Sequence, residues 1–126
     1  MEAMEIASSA IPVLRITDER IAREFYVDYL GFSVLWEHRF EPGMPLYARV
    51  ARDGAVLDLS EHYGDGTPGC AVWIAVEDVS ALHEELRSKG NPRSRPAIDW
   101  DAPGGPTLRV LDPFANQLRF CQPTGS

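Results

Sequence analysis

The chain has 126 residues, of which 44% are apolar and 25% are charged, and its formal net charge is −7. This length suits one domain, or two small halves that share a core, and excludes a multidomain assembly. The acidic balance and the lack of a basic cluster argue against nucleic-acid binding, and no apolar run approaches the length of a membrane span. The N-terminal segment resembles neither a signal peptide nor an anchor, so we expect a cytoplasmic protein.

The first half of the chain is predicted to contain a strand, a helix and three further strands. The opening strand covers residues 11–16, and Thr17 and Asp18 are both N-cap candidates for the helix that follows. Gly31 stands where a C-terminal glycine would end this helix. Apolar side chains recur between them at helical spacing, at Ala22, Phe25, Tyr26, Tyr29 and Leu30. Strands are predicted over residues 32–40, 46–52 and 55–61, with Asp53-Gly54 as a hairpin turn.

The second half repeats this order after a glycine-rich linker at residues 63–69. A strand at 71–76 precedes a helix that begins after Asp78 and ends at Gly90, and strands at 108–111 and 117–121 flank a turn at Asp112. Gly31 precedes Asp53 by 22 residues, and Gly90 precedes Asp112 by the same 22 residues. The equal spacing predicts an α+β fold built from two βαβββ repeats, at about 10–63 and 70–122, within a single domain spanning 1–126.

Two such units, with FYVDYLGF in the first helix and LDPFANQLRF near the end, resemble the glyoxalase/bleomycin-resistance/dioxygenase superfamily of vicinal oxygen chelate proteins. The resemblance covers residues 11–122. It implies that each unit curls its sheet into a half-barrel around a concave groove. The enzymes of that family hold a divalent metal in the groove, whereas the antibiotic-binding members hold a drug between two chains.

The resemblance also locates the four positions at which the enzymes carry metal ligands. They fall on Ile11, Asp58, Ala71 and Arg119. Isoleucine and alanine cannot coordinate a metal, and arginine brings a positive charge of its own. Because catalytic divalent sites normally use three protein ligands, we expect no metal and no cofactor here. The chain's histidines, His38, His62 and His83, do not form an alternative ligand set.

Matching the chain to the antibiotic-binding members gives a set of candidate ligand-binding residues. An aromatic or polar groove residue falls on Trp36, Tyr47, Ser60 and Trp73, and Asp58 adds an acidic group. A further groove aromatic of the relatives falls on Gly104, for which the nearby Trp100 is a candidate replacement. Any one of these aromatic residues alone could equally be a core residue, but four matches in register favour a groove. Flat ligands stack on such rings, and cationic groups favour an acidic rim.

The leading hypothesis is therefore a non-enzymatic homodimer that sequesters a bleomycin-like, cationic and aromatic antibiotic. In the drug-binding relatives the N-terminal strand crosses to the partner chain, and Pro12 matches a proline there, a residue that tolerates edge and crossover positions. Two alternatives stay open: a metal-dependent glyoxalase, dioxygenase or thiol transferase of the same fold, and a binding module for another small metabolite. We expect a small-molecule ligand, with neither nucleic acid nor a membrane as a partner.

Overall fold

The computed structural model describes residues 4–7, 9–91 and 94–124. Within them the chain forms two four-stranded sheets, each curled as an open half-barrel. The N-terminal sheet has the order β1-β4-β3-β2, from β1 (Val13–Arg15), β2 (Ser33–His38), β3 (Tyr47–Arg52) and β4 (Ala55–Ser60). The C-terminal sheet has the order β5-β8-β7-β6, from β5 (Ala71–Ala75), β6 (Ile98–Asp99), β7 (Thr107–Leu111) and β8 (Gln117–Cys121). The first strand of each unit pairs in parallel with its last strand, which confirms the predicted α+β fold with two βαβββ units.

The first helical segment departs from the predicted regular helix. Helix α1 (Glu19–Arg23) begins at Asp18, whose side chain accepts a hydrogen bond of 2.9 Å from the Ile21 backbone N–H. From Glu24 to Tyr29 the segment continues as a π-helix, in which the Leu30 N–H reaches back five residues to the Phe25 carbonyl. The apolar spacing in the sequence is compatible with either winding. The predicted apolar face is nevertheless buried, as the structure shows for Ala22, Phe25, Tyr26, Tyr29 and Leu30.

Helix α2 (Val79–Lys89) occupies the place predicted for it. Asp78 caps its start by accepting a hydrogen bond of 3.0 Å from the Ala81 N–H. Gly90 follows its last residue with a φ of 70°, a conformation that a side chain disfavours. No helix in the described ranges has both the length and the hydropathy needed to cross a membrane.

Strand β6 is an element that the sequence pattern did not predict. It contains only Ile98 and Asp99, which pair with Leu108 and Thr107 of β7. Two residues are too few for an alternating pattern to be recognised. The short strand completes the second sheet at its edge.

One hydrophobic core joins the inner faces of both sheets and the helical segments. It includes Leu14 and Leu57 from the first unit and Leu118 from the second. A buried hydrogen bond also links the units, since the Tyr26 hydroxyl donates to Asp112 Oδ2 at 2.6 Å. One face of each sheet packs in the core. The opposite face, called the outer face below because it points away from the core, is left for other contacts.

Candidate functional site

The outer face of the N-terminal sheet carries most of the predicted ligand-binding residues. Register aligns Val13, Asp58, Arg49 and Trp36 in one row across its four strands. A β-bulge between Val34 and Trp36 shifts the register of β2, so that Trp36 stands opposite Arg49 on this face. The bulge therefore brings the indole into the row.

Trp36 and Tyr47 form a flat aromatic surface on this face. Their ring centroids are 5.8 Å apart and their planes differ by 12°, which is a stacked arrangement. The Arg49 guanidinium carbon lies 4.9 Å from the centroid of the Trp36 ring, within the range of a cation–π contact. Trp36 is still 41% exposed, so part of its ring is available to a ligand.

Asp58 is buried on the strand next to Tyr47 and Arg49, and both residues hydrogen-bond to its carboxylate. Its carboxylate accepts hydrogen bonds from Arg49 Nε at 2.7 Å, from Arg49 Nη2 at 3.0 Å and from the Tyr47 hydroxyl at 2.5 Å. Burial raises the pKa of Asp58, but the hydrogen bonds from Arg49 and Tyr47 outweigh it and hold that pKa below its ordinary value. Burial, followed by the contact with Asp58, raises the pKa of Tyr47 to about 12. At neutral pH the pair is thus an ionised carboxylate and a neutral phenol, and Asp58 exposes almost no surface to a ligand.

Ser60 stands opposite Tyr47 in the register but is completely buried. Its hydroxyl donates to Asp65 Oδ2 at 2.9 Å and accepts a hydrogen bond of 3.1 Å from the His62 N–H. Ser60 therefore fixes the segment that follows β4. Its hydroxyl is not accessible to a ligand in this structure.

The remaining candidates, Trp73 and Trp100, belong to the other sheet. Trp73 lies on the outer face of β5 opposite Arg119 of β8 and is 54% exposed. Trp100 directly follows the edge strand β6 and is 62% exposed. β5 and β6 form opposite edges of this sheet, three strand spacings or about 14 Å apart. The single chain thus groups Trp36, Tyr47, Asp58 and Ser60 on one sheet and Trp73 and Trp100 on the other.

The residues at the family's metal-ligand positions do not suit a divalent ion. Ile11 lies two residues before Val13, the partner of Asp58. In the second unit Ala71 lies two residues before Trp73, the partner of Arg119. Among the described residues no group of three or more His, Cys, Asp and Glu side chains is placed to hold a metal. Asp58 is the one carboxylate at these positions, and it already accepts three hydrogen bonds from Arg49 and Tyr47.

Sequence comparison identifies the family. The family model described as "Glyoxalase superfamily protein" matches residues 3–125. The chain belongs to the glyoxalase superfamily. A comparison of this superfamily member with curated proteins gives no significant match.

Solved structures share the fold of this glyoxalase-superfamily chain over almost its whole length. A bleomycin-binding protein from Streptomyces verticillus, solved with copper(II)-bleomycin, is 30% identical, with a TM-score of 0.71 and coverage of 96% of this chain and 100% of the other. A bleomycin-binding protein solved with bleomycin has 22% identity, a TM-score of 0.73 and coverage of 94% and 100%. TnmS3, an antibiotic-binding protein from Streptomyces sp. CB03234, has 23% identity, a TM-score of 0.68 and coverage of 95% and 100%.

Proposed function

We propose that this chain is a non-enzymatic binding protein that sequesters a bleomycin-like antibiotic. The observation that carries the proposal is the stacked, partly exposed Trp36–Tyr47 pair on the outer face of a half-barrel sheet. Such a surface suits a flat aromatic group, because stacked rings gain both buried area and favourable ring geometry. A bleomycin-binding protein at 30% identity supports the same ligand class. Sequestration requires only tight binding, so a protein with this role needs no metal ligands.

The proposed assembly is a symmetric homodimer that places two grooves between the chains. In this arrangement the outer face of the N-terminal sheet of one protomer faces the outer face of the C-terminal sheet of its partner. Large apolar side chains are exposed on these strands, which is unusual for a surface that contacts only water. They are Leu35, Trp36, Trp73 and Leu111. A planar ligand between the two faces would contact Trp36 of one protomer and Trp73 of the other.

The N-terminal segment provides a second argument for this dimer. Met4 and Ile6 are 91% and 90% exposed, although both side chains are apolar. Pro12 joins the segment to β1, and its carbonyl accepts a hydrogen bond of 2.9 Å from the Asp58 N–H. An exposed apolar arm attached through proline suits a segment that packs against another chain.

Asp58 and Ser60 contribute indirectly to this groove. Asp58 holds the Arg49 guanidinium beside Trp36, and Ser60 holds Asp65 near Tyr47. The aromatic surface is therefore fixed before a ligand arrives, which reduces the entropy lost on binding. Cationic parts of a ligand would be attracted by the net charge of −7 rather than by the carboxylate of Asp58.

Isothermal titration of the protein with metal-free bleomycin tests the proposal. We expect saturable binding of one bleomycin per protomer, and a matched titration of Trp36→Leu should show at least about ten-fold weaker binding. Glu84→Ala, on the exposed side of α2, is the control and should bind as the wild type does. Absence of binding at about 100 µM would reject bleomycin as a ligand and favour another metabolite.

A further inference from the structure

The outer faces of the two sheets carry equivalent rows of residues with different charges. In the N-terminal sheet the row runs from Val13 on β1 to Asp58 on β4 and Arg49 on β3. In the C-terminal sheet the equivalent strands place Trp73, Arg119 and Arg109 in the same order. Arg119 thus occupies the place of the acid, and Trp73 occupies the place of the aliphatic residue.

This exchange places two arginines in directly opposite positions on neighbouring strands. Arg109 and Arg119 are direct partners in the antiparallel pairing of β7 and β8, where Cα atoms lie about 5 Å apart. Like charges in directly opposite positions destabilise a sheet. Arg119 Nε donates to the neutral Gln117 Oε1 at 2.6 Å, and Arg109 has an exposed contact of 3.4 Å with Asp99. Within the described ranges no carboxylate forms an ion pair with Arg119, whereas Asp58 neutralises Arg49 in the equivalent row.

We propose that the Arg109–Arg119 pair, together with Trp73, binds an anionic group on a planar aromatic ligand. Carboxylate, sulfate and phosphate groups share the chemistry that a guanidinium fork recognises through paired N–H donors. The half-exposed Trp73 indole lies next to Arg119 and offers a stacking surface for the ring that carries the anion. The inference rests on the proposed groove and adds a second recognition element to it: an anionic substituent on the aromatic part of the ligand, beside any cationic groups that the net charge of −7 attracts.

The test uses two naphthalene probes of opposite charge, naphthalene-2-sulfonate and 2-naphthylmethylammonium. Each is titrated into ¹⁵N-labelled protein, and the Trp indole and Arg Nε–H signals are followed by NMR. We expect the sulfonate to shift the Trp73 and Arg119 signals and to bind more tightly than the ammonium probe. Arg119→Gln should weaken sulfonate binding about ten-fold, because it removes one charged hydrogen-bonding fork.

The matched control is Arg87→Gln, which removes the same charge from an exposed position on α2. It should bind the sulfonate as the wild type does. Equal affinity for the two probes, or an unchanged sulfonate affinity in folded Arg119→Gln, would overturn the inference. Loss of self-association in Arg119→Gln with sulfonate binding retained would also overturn it, since the pair would then serve the contact between chains.

Bleomycin titrated into the same samples separates this inference from the proposed function. Binding of bleomycin without binding of the sulfonate would reject the anion site and leave the proposed function intact. Binding of the sulfonate through Trp73 and Arg119, without binding of bleomycin, would support the anion site and reject the bleomycin assignment.

Discussion

Arg49 Nε lies 2.7 Å from Asp58 Oδ1, and Arg49 Nη2 lies 3.0 Å from Asp58 Oδ2. This bidentate ion pair occupies the carboxylate that the family resemblance places at a metal-ligand position. It also holds the guanidinium 4.9 Å from the centre of the Trp36 ring. The same carboxylate thus supports an aromatic surface instead of presenting a ligand to a cation.

The first prediction concerns metal content. Since Ile11, Ala71 and Arg119 stand with Asp58 at the four metal-ligand positions that the family resemblance gives, protein purified without chelator should contain far less than one equivalent of zinc, nickel, manganese or iron. Elemental analysis measures this directly. About one metal per chain, lost in Asp58→Ala, would contradict the account.

The second prediction concerns the pH dependence of stability. Asp58→Asn should lower the free energy of unfolding at pH 7 by about 1–3 kcal/mol, because it replaces a buried, paired carboxylate. The pKa of Asp58 is lowered in the folded protein, so its contribution is present above the unfolded pKa of about 4 and is lost as the pH falls through the folded pKa. Urea denaturation of both proteins between pH 7 and pH 2 gives the difference. A difference in the free energy of unfolding between the two proteins that grows as the pH falls would contradict this prediction.

The third prediction concerns the turn between β7 and β8. Ala115 has a φ of 70°, in the left-handed region where glycine is favoured. Ala115→Gly should stabilise the protein by about 0.5–1 kcal/mol. Ala81→Gly, in the first turn of α2, should destabilise it by up to about 1 kcal/mol. Because the two units share one core, thermal unfolding should show a single transition in both variants. Stability changes of the same sign in Ala115→Gly and Ala81→Gly would contradict the strain argument.

The fourth prediction concerns assembly. Sedimentation at tens of micromolar should give a dimer of 14.0 kDa chains, held partly by the exposed apolar residues of the outer faces. Leu111→Glu, at a 56% exposed position on β7, should weaken the dimer without lowering the melting temperature of the chain. A monomer at that concentration in the wild type would reject the shared groove.

Much of the fold could be predicted from local patterns. Capping residues and apolar spacing were sufficient for α2, and the equal spacing of Gly31–Asp53 and Gly90–Asp112 indicated the repeat. The π-helical segment could not be predicted, because one added residue per turn barely changes the apolar pattern. Strand β6 is too short to give a periodic signal.

The site could be predicted only in part, because it depends on register. The bulge in β2 decides that Trp36 shares a face with Arg49, and nothing in the local sequence marks it. The role of Arg49 was missed for a related reason: an arginine on an alternating strand looks like a solvated residue until its partner strand is known. Once the Asp53-Gly54 turn is accepted, counting outwards from it pairs Arg49 with Asp58, and this signal could have found the ion pair.

The most direct test of the binding account is the affinity of Trp73→Ala for bleomycin, measured with its melting temperature on the same sample. Trp73 is half-exposed in the single chain, so its removal should leave the melting temperature almost unchanged. If the indole lines a groove shared by two chains, the variant should bind bleomycin more than about ten-fold less tightly, a loss of about 1.5 kcal/mol or more. A folded Trp73→Ala protein with the affinity of the wild type would contradict the account.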